Sequence, residues 1–307
     1  MGDVPASIPL TYAAVVDEIC RFTDLPPAEV ADRVWREALT PGCNIVAEVP
    51  AFGVTAHRFD EAMARLYAQG IGFVFSGLVY WCVPYRQSWS HHAVARIQRY
   101  AQRQPPGQPI RILMLGDGTG NDSLLLASHG WQVDYFDVPG SRTFDLACRR
   151  FRHHGALDHG VRLVTEYAQV PVGHYDAVFS FEVLEHLPDP VTAIADMARF
   201  LKPGGIALVT EAFSGVTAAL PTHLAANLRY SGRTPWLFDA AGLRLSWYAT
   251  APLFKPYEFT KQEGVSQALW RDQQLVKAWL KARWHAGRQS PTDTAAGRTA
   301  LPGNLTT

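Results

Sequence analysis

Residues 110–120 constrain the fold of this chain more than any other stretch. They read Ile-Arg-Ile-Leu-Met-Leu-Gly-Asp-Gly-Thr-Gly, and the aliphatic run between Pro109 and Gly116 predicts a short buried strand. The alternating glycines up to Gly120 let the backbone turn tightly and approach a ligand that any Cβ atom would push away. The leucine-rich residues 121–128 predict a helix. A strand, a glycine turn and a helix in this order are typical of a nucleotide cradle at the carboxyl end of a parallel sheet.

The glycine turn alone is weak evidence, because its Gly-x-Gly-x-Gly spacing differs from the Gly-x-Gly-x-x-Gly of dinucleotide sites. Strand-like and helix-like segments alternate after it, which predicts an α/β fold with a mainly parallel sheet. The later predicted strands are 131–138, 161–164, 175–181, 206–213, 243–250 and, at the edge of the sheet, 257–260. The predicted helices are 141–153, 191–201, 234–241 and an insertion at 214–230.

The first 107 residues carry apolar residues at helical spacing instead. We predict helices at 11–22, from Pro27 onward, at 57–69 and at 88–103, with a boundary in the proline-rich segment 104–109. The aromatic residues crowded into 71–89 either pack the helical region onto the sheet domain or wall a substrate pocket. The predicted organisation is a helical N-terminal region (1–107) that helps enclose a substrate, a sheet domain (108–258), a C-terminal helix (259–286) and a disordered tail (287–307).

The charge balance argues against a nucleic-acid partner. Lys plus Arg and Asp plus Glu number 28 each, whereas a protein that grips a phosphate backbone usually has a basic excess. The four cysteines are widely spaced and form no metal-type pair, which indicates reduced thiols in a cytoplasmic protein. No signal-peptide pattern is evident, and the most apolar run, residues 71–84, is too short to cross a bilayer. We therefore expect no membrane span.

Four segments in a fixed order carry a resemblance to a known family. They are Leu-Gly-Asp-Gly-Thr-Gly at 115–120, Val-Asp-Tyr-Phe-Asp at 133–137, Tyr-Asp-Ala-Val-Phe-Ser-Phe-Glu at 175–182 and Leu-Lys-Pro-Gly-Gly at 201–205. In these segments the chain resembles the class I S-adenosylmethionine-dependent methyltransferases, over roughly residues 108–250. The resemblance implies a Rossmann-like sheet with helices on both faces, here joined to the helical N-terminal region. It also implies S-adenosyl-L-methionine as the cofactor.

The resemblance further implies which residues contact the cofactor. Backbone amides of the glycine turn would face its methionine and ribose parts. Asp137 ends the second strand about 20 residues after the turn, where a carboxylate accepts hydrogen bonds from both ribose hydroxyls. Alternatively, Asp137 caps a helix or a turn. The predicted cofactor-binding residues are Gly116, Asp117, Gly118, Gly120, Asp137, Val138, Tyr167 and Phe181.

Two positions depart from the family pattern. The strand before the turn commonly has an acidic residue two positions ahead of the first glycine, but here that residue is Met114, which cannot accept a hydrogen bond from the cofactor's amino group. Asp117 or Asp122 could substitute for it. Near the adenine the family tends to have an Asp, and our alignment has Tyr167 there, beside Glu166. Tyr167 could stack on the adenine or border it instead.

Carboxylates and a histidine follow the fourth strand, as Glu182, Glu185 and His186, and His223 lies further along the chain. If residues 182–186 form a helical turn, Glu182, Glu185 and His186 share one face at the mouth of the site. These residues could begin a loop and cap neighbouring amides, or His186 or Glu185 could be a general base. All four could instead hold a divalent metal that lowers a hydroxyl pKa, because they resemble the set in ubiquinone-pathway O-methyltransferases and small-RNA 2′-O-methyltransferases.

The sequence therefore predicts methyl transfer from S-adenosylmethionine to the oxygen, nitrogen or carbon of a small molecule. Glu185 and His186 are the predicted catalytic residues. Specialised-metabolite biosynthesis is an expectation from the resemblance. An RNA-modifying methyltransferase and a cofactor-binding scaffold protein without transfer activity are the alternatives.

Overall fold

A computed structural model describes residues 11–247 and 256–262. Six helices precede the first strand. They are α1 (Tyr12–Phe22), α2 (Pro27–Leu39), α3 (Cys43–Phe52), α4 (Glu61–Gln69), α5 (Gly72–Trp81) and α6 (Pro84–Ala101). Side-chain caps define some of their starts, since Thr11 accepts a hydrogen bond from the amide of Ala14 and Asp60 from that of Met63. The sequence did not predict α3 or α5, because α3 contains Pro50 and α5 is apolar on nearly all sides.

The remaining elements alternate along the chain. The strands are β1 (Arg111–Leu115), β2 (Gln132–Phe136), β3 (Val161–Val164), β4 (Tyr175–Phe181), β5 (Leu201–Thr210), β6 (Leu243–Trp247) and β7 (Tyr257–Lys261). The helices are α7 (Asn121–Ser128), α8 (Arg142–His153), α9 (Pro190–Phe200) and α10 (Thr234–Ala240). The predicted α/β alternation is confirmed.

The seven strands form one sheet in the order β3-β2-β1-β4-β5-β7-β6. Strand β7 pairs antiparallel with both β5 and β6, and the other pairings are parallel. The prediction of an edge strand at 257–260 is therefore wrong, because β7 lies between two neighbours. The predicted 206–213 strand begins and ends earlier, since its pairing with β4 starts at Leu201 and ends at Thr210.

Helices cover both faces of the sheet, as predicted. Alternate residues of β1 point to opposite faces, so Ile112 packs in one core cluster and Leu113 in the other. The first cluster contains Trp89 and Ile97 of α6 and residues of α7 and α8, and the second contains residues of α9 and α10. Helix α6 thus packs in the sheet's own core, although it lies within the predicted N-terminal region.

Three other N-terminal helices share a core cluster with α8. Apolar residues of α1, α2 and α5 form a third cluster that includes Leu146 of α8. Beside it, the guanidinium Nε atom of the fully buried Arg150 lies 3.4 Å from the Glu18 carboxylate, and Arg150 also donates a hydrogen bond to the carbonyl of Thr119. Helix α1 is thereby connected to the glycine turn through a single buried cation.

The predicted helical insertion at 214–230 is largely irregular, and only Ala225–Tyr230 forms a short 3₁₀ helix. Residues 259–261 belong to β7. Residue 262 is not helical, and residues 263–286 of the predicted C-terminal helix, the tail 287–307 and residues 248–250 lie outside the described residues. Within the described part, no single helix has the length and apolar character to cross a membrane, although α4 and α5 meet that test together, bent by 63° at their junction.

Candidate functional site

The glycine turn leaves open space above the carboxyl end of β1. Gly116, Gly118 and Gly120 all have positive φ, at 75°, 58° and 76°. A Cβ atom on Gly116 would lie 2.6 Å from the side chain of Val183, and one on Gly120 would lie 2.6 Å from the ring of Phe151. A Cβ atom on Gly118 would meet no heavy atom within 4 Å. The outer two glycines thus permit close packing, whereas Gly118 faces room for a ligand.

Asp137 lies directly beside this open glycine. One carboxylate oxygen accepts a hydrogen bond from the Gly118 amide at 2.6 Å, and the other accepts one from the amide of Val138 at 2.7 Å. The hydroxyl of Tyr135 donates to the Gly118 carbonyl at 2.6 Å, which fixes the turn from below. Burial raises the pKa of Asp137, and the two amide donors act in the opposite direction. The side chain of Val138 is exposed at the rim.

Asp117 caps the start of α7. Its carboxylate accepts hydrogen bonds from the amides of Asp122 at 3.2 Å and Ser123 at 2.7 Å. Burial, together with the nearby charge of Asp122, raises the pKa of Asp117 to about 7. Asp122 itself forms a buried ion pair with Arg86 of α6 and accepts a hydrogen bond from Ser90. These contacts give the Asp117 and Asp122 side chains structural partners.

Tyr167 and Phe181 pack with other aromatic residues. The ring centroid of Tyr167 lies 5.1 Å from that of Phe136 and 5.6 Å from that of Phe200, so the ring is half-buried in the core beneath α9. The ring of Phe181 lies 6.2 Å from that of Trp89, and the Arg86 guanidinium lies 5.3 Å from it. Both residues therefore have packing roles, and their predicted contacts with the cofactor remain predictions.

Glu182 departs from the predicted helical turn. Its φ is +57°, a conformation that non-glycine residues rarely adopt, and only residues 184–186 form a short 3₁₀ turn. The Glu182 amide donates to the Thr210 hydroxyl at 3.0 Å. Burial, followed by repulsion from Glu211, raises the pKa of Glu182 to about 7. The expectation that Glu182, Glu185 and His186 share one helical face is wrong, because the backbone of Glu182 is left-handed and does not belong to the helical turn.

Glu185, His186 and His223 come together across 38 residues of sequence. Each contributes one potential ligand atom, and these atoms all lie within 4.8 Å of one another. The two imidazole rings are 4.7 Å apart and nearly perpendicular. Both carboxylate oxygens of the buried Glu185 and the Nδ1 atom of His223 lack a hydrogen bond of good geometry among the described residues, although the backbone of Ala212 lies close to both side chains. A water molecule or a bound cation would satisfy these buried polar atoms.

The hydrogen bonds of His186 determine its tautomer. Its Nδ1 atom lies 3.1 Å from the carbonyl oxygen of Thr222, and because a carbonyl only accepts, Nδ1 carries the proton. The lone pair is then on Nε2. Burial and the neighbouring His223 lower the pKa of His186 to about 3, and burial lowers that of His223 to about 4. Both rings are neutral at neutral pH, and burial raises the pKa of Glu185 well above its usual value.

Aromatic rings of the N-terminal region approach this side of the sheet. Trp89 is buried in the sheet core, which fits the packing interpretation of residues 71–89. Tyr85 is exposed, and its hydroxyl is hydrogen-bonded to that of the partly buried Tyr80. The Glu182 carboxylate raises the pKa of both phenols, after the larger effect of burial. These two phenols fit the other interpretation, a pocket wall.

Two residues near the cluster were missed by the sequence analysis. The ring of Tyr67 lies edge-on to His186 at 6.4 Å, and His57 contacts the backbone of His223. Neither belongs to a motif, and His57 is 166 residues from its partner. A local pattern could not have revealed either contact.

Comparisons with known proteins concern the family and the fold of this chain. A model of the family described as "Methyltransferase domain" matches residues 86–250, just over half of the chain. The ubiquinone biosynthesis O-methyltransferase of Xanthomonas oryzae pv. oryzae is 36% identical over 95 residues, which are 31% of this chain and 40% of that protein. The protein of the same name from Thiobacillus denitrificans is 28% identical over 107 residues, 35% of this chain and 46% of that one. The chain thus spans less than half the length of these relatives.

Solved structures support the fold. The CurJ carbon methyltransferase aligns with a TM-score of 0.53 at 14% identity, covering 78% of this chain and 72% of that one. The DszA carbon methyltransferase aligns with a TM-score of 0.51 at 17% identity, covering 78% and 71%. At these identities the likeness concerns the fold alone. Together with the family match and the ordered motifs, it shows that the chain belongs to the methyltransferase domain family, within the class I S-adenosylmethionine-dependent methyltransferases.

Proposed function

We propose that this protein transfers a methyl group from S-adenosylmethionine to a small-molecule acceptor. The observation that carries the proposal is the position of Asp137 beside the open face of Gly118, at the carboxyl edge of β1 and β2. A carboxylate and an unobstructed glycine backbone suit a ribose and its neighbouring groups. When bound, S-adenosylmethionine would supply an electrophilic methyl group.

The residues of the turn would bind and orient this cofactor. The amide of Gly118 lies beside the open space, and the Asp137 carboxylate could exchange this amide partner for the sugar hydroxyls. Much of the rate enhancement in a displacement of this kind comes from alignment of the nucleophile with the methyl group. The rigid packing of Gly116 on Val183 and of Gly120 on Phe151 would supply that alignment.

A small, partly aromatic acceptor fits the other half of the site best. The chain has no net charge with which to attract a nucleic acid, and the phenols of Tyr80 and Tyr85 offer both ring surface and hydroxyl groups. The curated relatives are ubiquinone biosynthesis O-methyltransferases, which favours biosynthesis of a quinone-like or specialised metabolite. The four free thiols support the predicted cytoplasmic location.

Two roles are open to the carboxylate–histidine cluster. The Nε2 lone pair of His186 could accept a proton from the acceptor, because burial and the Thr222 contact keep the ring neutral with its proton on Nδ1. Alternatively, Glu185, His186 and His223 could hold a divalent metal, which would lower the pKa of an acceptor hydroxyl. The unpaired Glu185 oxygens and His223 Nδ1 atom fit such an ion. Glu182, a fourth predicted ligand, is not a member of this three-residue group.

Calorimetry with S-adenosylmethionine and S-adenosylhomocysteine tests the main proposal. We expect both to bind, and we expect label from methyl-labelled cofactor to appear in at least one member of a panel of phenols, catechols, amines and active-methylene compounds. Label in RNA instead would favour the RNA-modifying alternative, and binding without transfer to any acceptor would favour the scaffold alternative. If neither nucleoside binds, all three assignments fail.

Metal analysis distinguishes the two roles of the cluster. If a metal is held, the purified protein contains a divalent ion, chelation removes it, and Glu185→Gln lowers the metal content more than the exposed Glu29→Gln control does. Metal-free protein that keeps full activity in excess chelator would overturn the metal role, and either a general base or a purely structural loop would remain.

A further inference from the structure

We propose that His57 is a positioning residue that holds the segment Pro221–Ala225, and with it His223, against the site. This inference rests on the proposed function, because it assigns His57 to the same site. His57 lies in the loop between α3 and α4 and belongs to no sequence motif. Its connection to the site is entirely tertiary.

His57 makes three hydrogen bonds to the segment. Its amide donates to the Pro221 carbonyl at 2.7 Å, and its own carbonyl accepts from the amide of Ala225 at 2.9 Å. Its Nδ1 atom lies 2.9 Å from the His223 carbonyl, so Nδ1 is the protonated ring nitrogen. The bonds fall before, at and after His223. They fix the backbone from which the His223 side chain extends.

The backbone of His57 is strained in order to make these bonds. Its φ is +66°, and the only other non-glycine residue with positive φ in the described part of the chain is Glu182, at the site itself. A non-glycine residue in this region is sterically disfavoured and persists only where its surroundings hold it. Strain of this kind concentrates at functional sites. Here both strained residues flank the carboxylate–histidine cluster.

The opposite side of the segment is bonded to the turn that carries Glu185 and His186. The His186 Nδ1 atom donates to the Thr222 carbonyl at 3.1 Å, and the Leu224 amide donates to the Glu185 carbonyl at 3.0 Å. The segment therefore lies between two supports, the N-terminal region and the end of β4. The His186 ring is hydrogen-bonded to the segment on the side of the site, and the His57 ring is hydrogen-bonded to it on the side of the N-terminal region.

Removal of the outer support should loosen the segment without unfolding the protein. Glycine adopts positive φ freely, so His57→Gly removes the imidazole hydrogen bond without adding backbone strain, and the greater backbone freedom of glycine offsets the relief of the existing strain. Asparagine also tolerates this conformation, and its side-chain amide nitrogen can occupy the place of Nδ1. His57→Asn is therefore the conservative rescue variant. His91→Asn, at an exposed position of α6, is the matched control.

Hydrogen–deuterium exchange and histidine ring NMR provide the test. In His57→Gly, peptides covering residues 220–225 should exchange roughly fivefold faster, the effect of one lost hydrogen bond on local opening. The ring resonances of His186, assigned with His186→Asn, should shift because the perpendicular His223 ring moves. His57→Asn should restore both readouts towards wild type, and His91→Asn should change neither.

Calorimetric binding of S-adenosylhomocysteine separates this inference from the proposed function. We expect all variants to bind it within about twofold of wild type, because His57 does not touch the glycine turn. Unchanged exchange and ring resonances in His57→Gly would overturn the positioning role whether or not the nucleoside binds. Loss of binding by the wild-type protein would overturn the proposed function and leave the structural measurements interpretable.

Discussion

The carboxylate of Asp137 accepts a hydrogen bond from the amide of Gly118 at 2.6 Å, although 19 residues separate them. The contact joins the ends of two adjacent parallel strands, β1 and β2. It places an acceptor group next to a glycine on which a Cβ atom would meet nothing within 4 Å. This pairing of a carboxylate with open backbone is the basis of the first two predictions.

Asp137→Ala should weaken binding of S-adenosylhomocysteine by about ten- to a hundredfold. Hydrogen bonds to a charged group contribute about 1.5–3 kcal/mol, and the variant removes the group that would receive the ribose hydroxyls. Calorimetry measures the change. The exposed Asp158→Ala serves as the control, and equal affinities for the two variants would remove Asp137 from the cofactor site.

Alanine at Gly120 should mainly reduce stability, whereas alanine at Gly118 should mainly reduce nucleoside binding. In Gly120→Ala the alanine is strained at positive φ, and its methyl group also clashes with Phe151. The substitution should therefore lower the free energy of unfolding by more than about 2 kcal/mol. Gly118→Ala adds only the backbone strain, which should lower the free energy of unfolding by about 1 kcal/mol. Its methyl group enters the open space, however, and should abolish nucleoside binding.

Gly107→Ala is the control for strain without contact, since Gly107 has a φ of +82° and no heavy atom near its Cβ position. Denaturant titration and calorimetry report the two properties separately. A Gly118→Ala variant that binds the nucleoside normally would mean that the cofactor does not use this space.

Asp117→Asn should alter the pH dependence of stability. Burial raises the folded-state pKa of Asp117 from 3.8 to about 7, so the unfolded state releases the proton first as the pH rises. The wild-type free energy of unfolding should therefore fall relative to that of the variant between pH 4 and 7, by at most about 1.4 kcal/mol per pH unit, and the difference should level off above pH 7.

Denaturant titrations of both proteins at several pH values measure this difference. An Asn side chain retains one acceptor for the Ser123 amide, so the cap persists in part. A difference that does not vary across the interval would show that Asp117 is ionised throughout it.

Arg86→Met should destabilise the protein by about 3–5 kcal/mol, because it leaves the buried Asp122 carboxylate without its cation. The double variant Arg86→Met/Asp122→Asn should lose less than the sum of the single changes, because no buried charge is then unpaired. Chemical denaturation of all four proteins completes the cycle. Additive losses would show that the pair is not energetically coupled.

Much of the fold could be predicted from the sequence, because its signals are local. The aliphatic run before Gly116 and the alternation after it define β1 and the parallel strands, and Asp137 follows β2 directly. Elements without such periodicity were missed, as α5 was, because it is apolar on nearly all sides. The prediction that β7 lies at the edge of the sheet was also wrong, because partners distant in sequence decide which strand lies at an edge.

The candidate site divides in the same way. The sequence alone determined the glycine turn and the carboxylate beside it, because steric freedom and the end of a strand are properties of neighbouring residues. Only the tertiary structure decided that Glu182 leaves the helical turn, that His223 joins Glu185 and His186, and that His57 supports His223 from 166 residues away. Those contacts depend on how the insertion and the N-terminal region pack over the sheet, and packing between distant segments leaves no local pattern in the chain.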